Sequence, residues 1–334
     1  MNFPPIQGDH RWEIRDLRLS INRETRPVKT IQDPSEVRQT GRRVCLALGF
    51  FDGVHLGHQQ ILRQTTTAAR QHDAVALIVT FDRHPNTVVA PNRAPALIYP
   101  LSQKLRVIES LGVDFTLLLH FDKSFSERSG EEFVRSLALE AGPIRSVCVG
   151  ANFVFGHKRS GNVELLRKLG NELNFNVQAL AAVSLDGKAV SSTRIREAIS
   201  TGKLDAAGQM LGRVYSLVGM VMAGDKMGRQ LGFPTANLEV GGLVLPPTGV
   251  YAAQARTAGK LHRAVVNIGS RPTLQNPTPE LRVEAHLLGF TGDLYGQELE
   301  LFFVEKLRDE EKFPSLAALR EQIARDISEA QLRF

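Results

Sequence analysis

Cysteine is almost absent from this 334-residue sequence: only Cys45 and Cys148 occur, too few for a disulfide framework or a cysteine-built metal site. Each lies in an apolar run, RVCLAL or SVCVG, where a thiol behaves as a small buried hydrophobe. Long apolar runs are missing too. ALIVTF and SLVGMVM end at polar residues or contain glycine, far short of the roughly 20 residues a membrane span requires. The N-terminal MNFPPIQGDHRWEIRD has no apolar core of the kind a secretory signal carries, so a cytoplasmic location and no membrane partner are expected. A strong charge of one sign is also lacking. The formal +6 arises from 41 basic residues scattered among 35 acidic ones, which argues against a nucleic-acid partner and equally suits a protein that handles phosphates.

What is present is an ordinary globular composition, 43% hydrophobic and 23% charged, in a chain long enough for two cores. From Val44 to about Leu204, strand-length apolar runs (VCLALGF, AVALIVTF, VDFTLLLHF, SVCVGANF, FNVQALAAV) alternate with segments of helical period. Near-continuous apolar strands indicate a parallel sheet covered on both faces, hence an open, doubly wound α/β domain over 44–204. Ser129 with Glu132 forms a capping-box pattern, and Asn162 is placed to cap ELLRKL. DAAGQMLGR reads as a short helical connector over 205–212. From 213 to 334 the period becomes two, in runs rich in Val, Tyr, Phe and Thr between Gly/Pro clusters, as in a small antiparallel β-barrel. A terminal helix is expected from about Ser315, with Leu316, Leu319, Ile323 and Ile327 at helical spacing. Residues 1–43, with Pro4, Pro5, Pro27 and Pro34, read as an irregular extension leading into the first domain.

GFFDGVHLGH, residues 49–58, falls where the first strand hands over to the first helix, at the end of the sheet where ligands of open α/β folds bind. His55 and His58 are three apart and can face one side at the positive end of a helix. Gly49, Gly53 and Gly57 allow close backbone approach to a phosphate. Imidazole N–H groups can then stabilise charge on non-bridging oxygens during in-line displacement. Alone, the same pattern fits ordinary loop and helix-start histidines. In VSSTRIR, residues 190–196, three hydroxyls precede a helix carrying Arg194 and Arg196, a set that can hold a polyphosphate or simply cap the helix.

In the second half, GDKMGRQLGFPTANL (224–238) joins Gly224, Gly228 and Gly232 to Lys226 and Arg229, a segment able to wrap phosphates. Extended backbone at PTAN puts Thr235 and Asn237 on one face, offering oxygens suited to Mg²⁺ held with substrate phosphates. A glycine-rich hairpin stiffened by Pro234 would account for part of the same grouping. In RVEAHLL, alternation sets Glu284 on the face of Arg282 and His286, where a carboxylate either accepts a substrate proton or sits solvated on a barrel face.

Taken together and in order, GFFDGVHLGH, TFDRHP (80–85), VGANFVFGHKRSGN (149–162) and VSSTRIR resemble the FMN adenylyltransferase module of prokaryotic bifunctional riboflavin kinase/FAD synthetases. GDKMGRQLGFPTANL, PPTGVYAA, VVNIGSRPT, RVEAHLLGF, DLYG and LRDEEKF are similar to riboflavin kinases over 213–333. The resemblance implies a Rossmann-like nucleotidyltransferase domain in which His55 and His58 stabilise the ATP α-phosphate. It implies that Ser191, Ser192, Thr193 and Arg196 hold the departing pyrophosphate, with Gly49, Phe50, Asp52 and Gly57 at the nucleotide and Asn152 and Phe155 near flavin. For the second half it implies Mg²⁺ on Thr235 and Asn237, Glu284 as general base, and Arg308 and Phe313 beside the isoalloxazine. Riboflavin, FMN and ATP are the implied small-molecule partners, and the oligomeric state is left open. Arg83 stands where the family often has proline, which bears on the TFDRHP loop. Loss of one activity, or a nucleotide- or RNA-binding regulator without turnover, are the competing readings; incubation with riboflavin, ATP and Mg²⁺ separates them by FMN plus FAD, FMN alone, or neither.

Overall fold

The computed structural model describes residues 28–224, 227–271 and 280–334. Strands and helices alternate in the first half as the apolar pattern requires. β1 (Lys29–Ile31), α1 (Ser35–Arg38), β2 (Val44–Leu48) and α2 (Leu56–Gln71) come first. β3 (Val75–Phe81), α3 (Asn86–Val89), α4 (Leu101–Glu109), β4 (Phe115–Leu119), α5 (Lys123–Ser126), α6 (Gly130–Ala141) and β5 (Ile144–Gly150) follow. β6 (Val154–Phe155) pairs with β7 (Gly161–Asn162) in a hairpin ahead of α7 (Val163–Leu173) and β8 (Asn176–Leu180). A second hairpin, β9 (Ser184–Leu185) with β10 (Lys188–Ala189), leads to α8 (Ser192–Ser200) and α9 (Leu204–Leu211).

The sheet order is β1-β4-β3-β2-β5-β8, parallel throughout. All five residues of β2 are buried, as expected for a strand covered on both faces. Because the chain runs outward from β2 on one side and from β5 on the other, the β2/β5 boundary opens a crevice at the carboxyl ends of the strands. The capping box at Ser129/Glu132 forms, and Asn162 accepts the Leu165 N–H at 2.8 Å. The stretch read as a short helical connector does form a helix, α9, ended by Gly212 in a left-handed conformation. Short strands escape the sequence reading, β1 and the hairpins β6/β7 and β9/β10 among them. β1 lies in the stretch taken as irregular, and at three residues it is too short to show a period; residues 1–27 of that stretch lie outside the described residues.

The second half forms a closed antiparallel barrel, ordered β11-β12-β15-β14-β13-β16. Its strands are β11 (Ser216–Met222), β12 (Ala236–Glu239), β13 (Gly249–Thr257), β14 (Lys260–Arg271), β15 (Glu280–Leu287) and β16 (Glu298–Arg308). The short α10 (Met227–Leu231) precedes β12, and α11 (Leu316–Gln331) ends the chain with Ser315 as its N-cap. Leu217, Leu238, Ala253, Val266, Val283 and Leu301 fill the barrel. Leu316 departs from the expected apolar stripe: it is 63% exposed, along with its neighbours Ser315 and Ala317 at the helix start.

A third apolar cluster joins the halves: Tyr99 with Ile195, Ile199, Leu211, Tyr215 and Val244, all buried. Each such side chain contributes roughly 1.5–3 kcal/mol when removed from water, so the halves form a continuous packed body. A parallel bridge from Leu97 to Leu243 crosses the same boundary. Among the described residues no helix is long and apolar enough to cross a membrane.

Candidate active sites

The crevice at the β2/β5 boundary is a cleft of about 420 Å³. Its walls come from the turn after β2 (Gly49, Phe50, Asp52), the start of α2 (His55, Gly57, His58), the turn after β5 (Asn152, Phe153) and α8 (Ser192, Arg196). Backbone conformation makes this convergence possible. Phe51, Gly53 and Val54 all have positive φ, at 57°, 72° and 40°, which throws the chain sharply from strand to helix. A β carbon on Gly57 would sit 3.2 Å from the His55 ring, so glycine there lets the imidazole fold over the helix start.

His55 is the N-cap of α2, its Nδ1 accepting the His58 N–H at 3.4 Å. The two rings stack with centroids 3.6 Å apart. Burial drives the His55 pKa down to about 4, with Arg213 and Arg196 adding to the effect. Burial also holds His58 well below its ordinary range, helped by His55, Arg213 and Lys104. Both rings are therefore neutral at pH 7. The His58 Nδ1 is buried and meets no hydrogen-bond partner among the described residues.

Arg196 is fixed rather than free. It donates to an Asp52 carboxylate oxygen at 2.6 Å and through Nε to the Ala96 carbonyl at 2.7 Å. Asp52 also accepts the Ile98 N–H at 3.0 Å, and its own backbone carbonyl accepts from Ser192 at 3.1 Å. Burial raises the Asp52 pKa, while Arg196 is the largest influence opposing that rise. The carboxylate thus serves as a bracket holding α8 against the His55 turn.

Of the residues expected here, Gly49, Phe50, Asp52, His55, Gly57, His58, Asn152, Ser192 and Arg196 line the cleft. Ser191 instead caps α8 through the Arg194 N–H, and Thr193 is exposed on that helix; neither lines the cleft. Phe155 stacks on Phe153 at 5.3 Å and leaves Phe153 as the ring on the cleft wall. His84, three residues beyond the end of β3, also lines the cleft, edge-on to Phe50. Its neighbour Arg83 pairs with Asp82 at 3.2 Å. Lys104 was not anticipated either: buried at 3% exposure, it donates to Thr80 and to the Phe50 and Phe81 carbonyls. Burial lowers its pKa to about 8.

The second cleft, about 400 Å³, lies on the outside of the barrel between α10, α11 and the faces of β12, β15 and β14. Strand register builds it. Asn237 and Asn267 each stand opposite Glu284, giving a row Asn237–Glu284–Asn267 across three strands. Thr235 joins the row, its hydroxyl 3.4 Å from the Glu284 carboxylate. Ala236 and Val283, at the alternate positions, point into the barrel core. Asn267, within the VVNIG run, had no role in the sequence reading.

His286 holds the Pro234 carbonyl at 2.7 Å and so ties the PTAN segment to β15. Arg308 makes a two-pronged ion pair with buried Asp326 of α11, at 2.8 and 2.7 Å, and its guanidinium lies 5.6 Å from the Phe313 ring centre. Gly228 and Phe313 line the cleft, whereas Arg229 is exposed on α10 and Gly232 forms an open turn with φ 90°. A side chain at Gly224 would collide with the Asn237 amide, 2.2 Å from an added β carbon. Lys226 lies outside the described residues. Hydroxyl, amide and carboxylate oxygens on one face are hard donors of the kind Mg²⁺ takes when it is shared with phosphates.

The chain is similar to known proteins over both halves. Residues 37–194 match the FAD synthetase family and residues 211–334 the riboflavin kinase family. The bifunctional riboflavin kinase/FMN adenylyltransferase of Haemophilus influenzae is 36% identical over 290 residues, covering 86% of this chain and 94% of that protein. The Escherichia coli K12 protein of the same name is 35% identical over 300 residues, covering 90% and 95%. A crystal structure of a Streptococcus pneumoniae protein named macrolide-efflux protein shares the fold, with TM-score 0.76 and 27% identity over 92% of this chain and 99% of that one.

Proposed function

The chain belongs to the bifunctional riboflavin kinase/FMN adenylyltransferase family, and from that premise we propose how its two clefts divide the chemistry. The C-terminal half is the riboflavin kinase and the N-terminal half the FMN adenylyltransferase. We assign 44–204 to the adenylyltransferase, 205–212 to the connector and 213–334 to the kinase. ATP serves both halves.

In the kinase cleft, Glu284 accepts the proton of the riboflavin 5′-hydroxyl as that oxygen attacks the γ-phosphorus of ATP and ADP departs. Thr235 and Asn237 would hold Mg²⁺, which would supply positive charge to offset that of the ATP phosphates. Gly224 leaves room for the Asn237 amide, and His286 keeps Thr235 facing Glu284 by anchoring Pro234. Arg308 and Phe313 form the flavin side, steadied by Asp326.

In the adenylyltransferase cleft, an FMN phosphate oxygen attacks the α-phosphorus of ATP and pyrophosphate leaves. His55 and His58, neutral when empty of substrate, donate N–H bonds to the non-bridging oxygens as charge gathers there. Arg196 and Ser192, on the cleft face of α8, receive the pyrophosphate. Asn152 and Phe153 face the flavin end of the cleft, and Phe155 supports Phe153 from behind. Displacement here needs no covalent enzyme intermediate.

The observation that carries this reading is the row of Thr235, Asn237 and Glu284 on one cleft face, matched by the stacked His55/His58 pair in the other. Incubating the full chain with riboflavin, ATP and Mg²⁺ should yield FMN first and FAD after it. FMN without FAD, or neither product, would refute the assignment of the corresponding cleft.

A further inference from the structure

The turn that presents His55 carries three positive-φ residues, Phe51, Gly53 and Val54, within four positions. Val54 is β-branched and holds φ 40°, between Gly53 at 72° and the extended His55. A branched side chain in the left-handed region costs of order 1–3 kcal/mol and persists only where its surroundings over-determine it. The surroundings here come from the other end of the connector. Arg213 donates to the carbonyls of Gly53 and Val54, the latter at 3.1 Å, and to Leu211 at 2.9 Å. Gln59 of α2 donates to the same Val54 and Leu211 carbonyls, at 3.0 and 2.7 Å. The Arg213 guanidinium lies 5.0 Å from the Tyr99 ring centre, inside the apolar cluster that joins the halves.

Arg213 belongs to the segment matching the riboflavin kinase family, and the FAD synthetase match ends at residue 194. We infer that Arg213 is a positioning residue for FAD synthesis: a side chain of the kinase segment clamps the Gly53–Val54 carbonyls and so sets the imidazoles of His55 and His58. Both terminal nitrogens of the guanidinium go to backbone carbonyls, and the side chain acts on the substrate only through the turn. The kinase row on β12, β15 and β14 is set by strand register within the barrel, so the dependence argued here runs from the kinase segment to the adenylyltransferase turn. The inference rests on the assignment of His55 and His58 to the adenylyltransferase reaction.

The test uses the full chain with Arg213→Ala, Arg213→Lys, His58→Ala and Arg106→Ala. Arg106 pairs with Glu298 at 2.8 Å across the same boundary but touches neither turn nor cleft. A misplaced catalytic group costs up to about 100-fold, so Arg213→Ala should lower kcat for FAD synthesis about 10- to 100-fold with KM for ATP within about threefold. Arg213→Lys keeps the charge but not the fork, and should lose about tenfold if the alanine variant proves insoluble. FMN synthesis in both, and both activities in Arg106→Ala, should stay within about twofold. Unchanged FAD turnover in a folded Arg213 variant, a parallel fall of both activities, or an equal effect of Arg106→Ala would overturn the clamp. Intact FAD synthesis in His58→Ala would instead overturn the site assignment beneath it.

Discussion

The two clefts place their chemistry by opposite means. The first is made where secondary structure stops: a left-handed turn, a helix start and a carboxylate bracket bring Gly49–His58 and Arg196 together. The second is made where secondary structure is most regular, from side chains in register on three barrel strands. Burial follows the same division. Asp52 and His55 are 4% and 7% exposed, while Glu284, Asn237 and Thr235 are half-buried on an outer face under α10 and α11. A site set by backbone is vulnerable to anything that relaxes the turn, including residues far from substrate. A site set by register is vulnerable chiefly to loss of the reacting side chains themselves.

The largest expected effect lies in the registered site. Glu284→Gln preserves size and strand pairing but cannot accept a proton, so FMN synthesis should fall by about 100-fold or more, the usual range of general-base catalysis. FAD synthesis from supplied FMN should persist. Near-normal kinase turnover would return Glu284 to an ordinary strand carboxylate. In the turn-built site, His58→Ala removes one preorganised donor and should cost about 100-fold in FAD turnover with FMN formation intact. Equal loss of both activities in a folded variant would blur the contrast drawn between the clefts.

Sequence made the registered site legible in outline, because alternation assigns faces: Thr235 goes with Asn237 on one segment and Glu284 with Arg282 and His286 on another, and strand pairing then brings the two faces together. Alternation cannot say which strands become neighbours, so Asn267, opposite Glu284 on β14, had no sequence signal beyond its run. In the first half, alternating apolar runs revealed the sheet, and position after β2 revealed the His55 turn. Lys104 and Arg213 were beyond reach because their partners lie far along the chain, at Thr80 and Phe50 for the first and Gly53 and Val54 for the second. Thr193 and Ser191 show the reverse. Their motif was legible, yet helix geometry turns one outward and uses the other as a cap.

Acid should separate the halves less dramatically. The folded His55 pKa of about 4 lies below the ordinary 6.5, so above pH 6.5 the ring is neutral in both folded and unfolded chains and contributes nothing to pH dependence. As pH falls from 6.5 toward 4, the unfolded chain takes up a proton that the folded site refuses, and stability is lost. A full shift of this size corresponds to roughly 3 kcal/mol, on the order of 6–12 °C in melting temperature for a domain of this length. His58 acts in the same direction; Asp52, raised by burial, acts against it. Thermal melts of the full chain between pH 7 and 4.5 should show this loss reduced in His55→Gln. An identical pH slope in variant and parent would mean that the imidazole is not held neutral by the fold.

The smallest effect is expected at Thr235, and it distinguishes a metal ligand from a structural hydroxyl. Its side chain stands 3.4 Å from Glu284 and beside Gly228, whose added β carbon would approach the Thr235 hydroxyl at 3.1 Å. Thr235→Ala leaves the base, the strand register and the His286 anchor in place, removing one oxygen of the donor set. Apparent Mg²⁺ affinity should weaken on the order of tenfold, and raising the metal concentration should restore most of the FMN-forming rate. A structural hydroxyl would behave otherwise: its loss would lower the rate by the same factor at every metal concentration and would lower the melting temperature of the barrel. Because the adenylyltransferase cleft is built independently of this strand, its Mg²⁺ dependence for FAD synthesis should be unmoved, and a matching shift there would show that the two sites are coupled through more than Arg213.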